Sequence, residues 1–190
     1  MRILTRILDL STEEEELYFL KLEALWILIS LSMCDGDGVK LLLLSEYATT
    51  NGSDTHFAQT EVERDFKNEK SAILERLTRL LQEAFSVKDG PDFKILTHIL
   101  HFYANMASSG PEYAKKIVNE TSVINFIQHM LEAKIIHALD ENILFMVSML
   151  VEQISNHCLD QISYEDDENV KVLISAAHTF LDVSQSSSVC

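Results

Sequence analysis

The amino-acid sequence predicts an all-α fold in which a group of helices recurs along the chain. Of 190 residues 47% are apolar, whereas only 5 are Gly and 2 are Pro. That is too little turn-forming sequence for a sheet of many short strands. Apolar residues instead recur at spacings of three and four, as they do on one face of a helix. A pattern of short, medium and long helices also repeats.

The N-terminal part of the sequence predicts three helices followed by a polar insertion. Residues 3–10 form a short amphipathic pattern, and residues 13–33 form a longer one. The longer helix is apolar on nearly every side, which predicts that it is buried on most sides. A short helix is expected at residues 39–47. Residues 48–68 are polar without an apolar period, which is typical of a long insertion.

Helical spacing resumes after the insertion and continues almost to the end of the chain. Pro91 and Pro111 each follow a Gly, which predicts that both occupy the first position of a helix. The whole forms one predicted helical domain over residues 1–183, followed by a polar tail at 184–190. The predicted helices are 71–85, 92–108, 112–118, 121–133, 140–157 and 168–183.

Three long helices end in related segments, at residues 24–32, 100–108 and 148–156. Trp26, His101 and Met149 occupy matching positions in them and lie 75 and 48 residues apart. Without the insertion, both intervals approach the ~40–47 residues typical of armadillo and HEAT units. The sequence therefore predicts about three repeats.

The repeated segments resemble the armadillo-repeat family, and within it the nuclear-import adaptors of the importin-α type. The resemblance is carried by Glu23-Ala24-Leu25-Trp26 and by the stretch from Tyr103 to Tyr113, which joins a long helix to the next short one. It extends over residues 3–157. It implies a right-handed α-solenoid of about three degenerate armadillo-type repeats.

The same resemblance implies where a partner binds. In that family the third helices line a concave groove, in which a Trp and an Asn, four residues apart, hold an extended basic peptide. No repeat of this chain keeps both members of the pair, and Trp26 in an apolar helix is alternatively a core residue. The matching pairs are Trp26 with Ser30, His101 with Asn105, and Met149 with Gln153.

Net charge restricts the kinds of partner. At −15 the chain repels phosphate backbones and anionic membranes but attracts basic protein segments. No apolar run reaches the ~18 residues that a membrane helix needs, so no membrane insertion is predicted. Cys34, Cys158 and Cys190 show no metal or redox spacing, which favours reduced thiols in the cytoplasm or nucleus. We expect Cys34 and Cys158 to be ordinary buried residues.

Other motifs give no support for chemistry. The run 35–38 together with Glu46 imitates a calcium loop, but Val39 and Lys40 stand where an oxygen ligand and Gly are required. His98 and His101 lie three apart without a third ligand at a supporting spacing. No metal, cofactor or catalytic site is predicted.

Two functional hypotheses follow from the sequence. In the first, the chain is a non-catalytic adaptor or scaffold that binds a partner protein segment in an acidic concave groove. In the second, it is a fixed structural subunit of a large multiprotein assembly. Both place the chain in a complex with other proteins.

Overall fold

The fold is all-helical throughout the part of the chain that the computed structural model describes, which comprises residues 2–10, 14–34, 72–86, 90–132, 141–158 and 171–179. The predicted helix at 39–47, the insertion at 48–68 and the tail at 184–190 lie outside these ranges. The helices are α1 (Arg2–Leu8), α2 (Glu15–Ser32), α3 (Ala72–Phe85), α4 (Phe93–Ser108), α5 (Pro111–Glu120), α6 (Val123–Glu132), α7 (Glu141–Cys158) and α8 (residues 171–179).

Two helix starts show how local chemistry sets the boundaries. Pro111 is the first residue of α5, as predicted, and follows Gly110, whose φ of 150° is one that side chains rarely allow. The same expectation for Pro91 is wrong, because α4 begins at Phe93. Asp92 is its N-cap, and the carboxylate accepts hydrogen bonds from the backbone N–H groups of Lys94 and Ile95.

The three longest helices lie side by side, with α4 in the middle. Its contacts with α7 and with α2 are the two most extensive helix–helix contacts in the described ranges. The shorter helices pack around this row: α1 contacts α2 and α3, α3 and α5 contact α4, and α5 also contacts α7. We call α2, α4 and α7 the long-helix row.

One hydrophobic core joins the row to the shorter helices. Its residues come from every one of the eight helices. Helix α4 is the most enclosed, since only a narrow face of the helix remains accessible. This accessible face contains the two histidines of the helix, His98 and His101.

Helix α2 differs from its prediction. Its apolar circumference suggested burial on most sides, but only one side enters the core, through residues such as Ala24, Leu25 and Leu28. Neighbours in the described ranges cover that side alone, and large apolar side chains stay exposed on the other. Those at least 38% exposed are Phe19, Leu20, Trp26, Ile27 and Leu31.

Candidate functional site

Three contacts align α2 with α4. At one end the Tyr18 hydroxyl donates to Asp92 Oδ1 over 3.2 Å. In the middle the rings of Trp26 and His98 meet edge to face, with centroids 5.4 Å apart. At the other end Asn105 Nδ2 donates to Ser32 Oγ over 3.2 Å. Because residue numbers increase together along the interface, the two helices run parallel.

Tyr18 and Asp92 join the start of α4 to α2. The carboxylate that caps α4 also accepts the phenol proton, so one side chain serves both helices. Burial raises the pKa of Tyr18 to about 12, and the neighbouring negative charge and hydrogen bond of Asp92 act in the same direction. Tyr18 therefore remains a neutral donor at physiological pH.

Trp26 is a surface residue with one edge held in place. Its side chain is 52% exposed, so the alternative that it belongs to the core is wrong. The contact with His98 fixes one side of the indole, while the rest of the ring is available to a ligand. Phe19, two helical turns earlier, is 53% exposed.

His98 and His101 lie on the accessible face of α4. His98 Nδ1 lies 2.6 Å from the carbonyl oxygen of Lys94, which can only accept, so this nitrogen carries the proton. His98 Nε2 is buried and has no hydrogen-bond partner in the described ranges. Partial burial lowers the pKa of His101, and His98 lowers it further. Both effects favour the neutral form of the His101 imidazole.

The polar members of the first two predicted pairs are already engaged. Asn105 contacts Ser32 of the neighbouring helix. Ser30 Oγ donates to the carbonyl oxygen of Trp26 over 2.9 Å, one turn back in its own helix. Asn105 still has a second amide hydrogen and a carbonyl oxygen for a ligand.

The third predicted pair lies on α7, where Met149 and Gln153 are both half-buried and Met149 packs against the core. The structure thus places all six predicted residues on the three helices of the row. We call these six residues the candidate strip. Ser32 and His98 were not predictable as partners of Asn105 and Trp26, because each contact joins residues more than 70 positions apart.

Negatively charged side chains predominate beside the candidate strip. Glu16 and Glu23 are exposed on α2 and Glu152 is exposed on α7, whereas α4 contributes one exposed cation there, Lys94. The only lysine of α2, Lys21, is turned inward and is 2% exposed. A ligand lying across the row therefore meets more carboxylates than ammonium groups.

Cys34 was expected to be buried but is exposed, because it lies beyond Met33, the C-cap of α2. The side chains of Cys158 and Cys190 are outside the described part. Within the described ranges, no three His, Cys, Asp or Glu side chains are grouped so as to hold a metal ion. None of the helices described there is both long and apolar enough to cross a bilayer.

Fold and surface together define an all-helical protein that exposes aromatic and aliphatic side chains next to carboxylates. Comparison with family models, with curated proteins and with solved structures finds no match to this chain.

Proposed function

We propose that the chain is a non-catalytic protein-interaction scaffold of armadillo type, whose candidate strip binds a segment of a partner protein. In this proposal the long-helix row is the inner layer of a right-handed solenoid, and α2, α4 and α7 are the third helices of successive repeats. The parallel alignment of α2 and α4 supports it, because stacked repeats place equivalent helices side by side in the same direction.

The exposure of Trp26 is the observation that carries the proposal. An indole that is 52% exposed and held on one side by His98 loses little conformational freedom when a ligand covers it. Preorganised Trp residues are typical anchors of protein interfaces. Phe19 extends the same apolar surface along α2.

The partner segment is expected to be basic. Glu16 and Glu23 can pair with its Lys or Arg side chains, whose aliphatic stems and cationic heads suit the indole of Trp26. The net charge of −15 steers such a segment toward the chain over a longer range. With reduced cysteines, this partnership belongs in the cytoplasm or nucleus.

Asn105 and Ser30 favour a second candidate function, that of a fixed structural subunit of a large assembly. An armadillo-type peptide carrier reads a peptide backbone with polar side chains, but here Asn105 already donates to Ser32 of α2 and Ser30 already donates within its own helix, so both are partly engaged. In a fixed subunit the same apolar surface is covered permanently, and binding does not fall with rising salt.

Site-specific photo-crosslinking tests the proposal. A photoreactive amino acid at Ser30 or Gln153 should crosslink a partner protein in cells, whereas the same residue at Arg79, exposed on α3, should not. When extracts are irradiated at low and at high salt, a crosslink yield that falls at high salt supports the adaptor, and an unchanged yield supports the fixed subunit. Equal crosslinking from all three positions, or none from the strip, contradicts the proposal.

A further inference from the structure

A second apolar surface lies on α2, separate from the candidate strip. Leu20, Ile27 and Leu31 are 48%, 45% and 38% exposed. Their spacings of seven and four residues align them on one face of the helix. They cover about 17 Å along the axis, at ~1.5 Å per residue. We call these three residues the outer row.

The outer row faces away from α4. Tyr18, Trp26 and Ser32 mark the side of α2 that contacts α4. At about 100° per residue, the mean direction of the outer row lies roughly 170° around the helix from that side. Helix α4 has a long neighbour on each flank, whereas α2 has one on a single flank in the described ranges. The outer row therefore marks the open end of the long-helix row.

The exposed charges that α2 itself places next to the outer row are negative. Glu16 and Glu23 are exposed and lie between the outer row and the side that bears Trp26. Lys21 is buried and interacts with Glu83 and Asp9 instead. Two copies of the chain joined through this face would bring four such carboxylates together, on molecules that each carry −15. A second copy is thus disfavoured, and a basic occupant is favoured.

We propose that the outer row binds an amphipathic helix of a partner protein, whose Leu or Ile stripe is flanked by Lys or Arg. The partner helix lies along α2 on the flank opposite α4 and extends the long-helix row by one member. A helix fits because side chains spaced by seven and four form a ridge that another helix accepts in its groove. The apolar stripe covers the outer row while the cations meet Glu16 and Glu23.

Two synthetic peptides test the proposal. Each is a stapled helix of about 18 residues, which covers the outer row with a turn to spare at either end. Both carry a heptad Leu stripe, and they differ only in their flanking residues, Lys in one and Glu in the other. Fluorescence anisotropy with the full chain should show binding of the Lys peptide, weakened at high salt, and no binding of the Glu peptide.

Variants of the chain locate the binding site. Ile27→Glu should weaken Lys-peptide binding at least about tenfold, the effect of losing one interface anchor. Ile174→Glu, an equally exposed apolar position on α8, is the matched control and should leave binding unchanged. Replacing both Glu16 and Glu23 by Lys should reverse the preference, so that the Glu peptide binds. These surface changes leave the core intact, so the reversal is readable even if Ile27→Glu fails to fold.

Four outcomes overturn the proposal: neither peptide binds, both bind equally, Ile27→Glu and Ile174→Glu bind alike, or sedimentation shows that the chain dimerises through an Ile27-dependent contact. The proposal shares Glu16 and Glu23 with the candidate strip, but its apolar contacts are separate from those of Trp26. Trp26→Ala should leave Lys-peptide binding within about twofold, and Ile27→Glu should retain the crosslinks from the strip. Failure at one surface is therefore distinguishable from failure at the other.

Discussion

Ile27 and Leu28 are adjacent in α2 but face opposite environments, so the same substitution at each should have very different effects. Ile27 is 45% exposed and Leu28 is 0% exposed. Fully burying such a side chain contributes about 1.5–3 kcal/mol, so Ile27→Gln should remove roughly half of that, about 1 kcal/mol. Gln is slightly better than Ile in a helix, which reduces the loss by a few tenths of a kcal/mol.

Leu28→Gln should cost about 4 kcal/mol or more. Removing a buried Leu costs roughly 2–5 kcal/mol, and leaving a buried amide without partners adds about 1–3 kcal/mol. Urea unfolding followed by circular dichroism gives both values, if the slope with denaturant is the same as in the unsubstituted chain. If Ile27→Gln proved as destabilising as Leu28→Gln, Ile27 would be buried within the chain itself, and the outer row would not be a free surface.

Three further predictions concern titrating and reactive groups. Spectrophotometric titration should place the pKa of Tyr18 at about 12, and Asp92→Asn should lower it without returning it to 10.0, since burial is the larger cause. Because a raised pKa means that the folded state holds the Tyr18 proton more tightly, the contribution of Tyr18 to the free energy of unfolding should be lost as pH rises from 10 toward 12. This loss should be absent in Tyr18→Phe. The same dependence of unfolding free energy on pH in the variant contradicts this. Burial lowers the pKa of Lys21, so stability should rise with pH through its folded pKa up to 10.5, and unfolding of Lys21→Met should lack this component. A maleimide should modify Cys34 in the native protein, as peptide mapping will show, and protection of this thiol until unfolding would refute its exposure.

Helix boundaries were predictable where they depend on neighbouring residues. Gly110 and Pro111 set the start of α5 within one residue, because the Gly conformation and the fixed φ of Pro are local properties. Asp92 moved the start of α4 beyond Pro91, because its carboxylate satisfies two backbone N–H groups. The start of α4 after Asp92 was also predictable from the sequence, since Asp is a strong N-cap residue.

Exposure of α2 was not predictable from its sequence. Its apolar pattern shows which side chains favour burial but does not show whether a neighbour is present to bury them. Ile27 and Leu28 are similarly hydrophobic, and only the position of α4 and the shorter helices makes one exposed and the other buried. The apolar excess therefore comprises an exposed apolar face together with a core face.

The candidate strip was predictable as a set of positions but not as a set of contacts. Repetition of the long helices indicated that Trp26, His101 and Met149 lie on neighbouring elements, which they do. The axial offset of α2 relative to α4 determines two of the contacts, that of Trp26 with His98 and that of Asn105 with Ser32. A one-turn change in that offset alters every such pair, and no local pattern specifies it.

The most direct test of the central claim, that exposed surfaces of α2 bind partner proteins, is the native mass of the endogenous protein in a gentle extract. Its native mass should exceed the mass of the same polypeptide under denaturing conditions. A chain carrying both Trp26→Ala and Ile27→Glu should lose that excess while keeping its helical circular dichroism. Equal native and denatured masses, or an excess that survives both substitutions, would contradict the account.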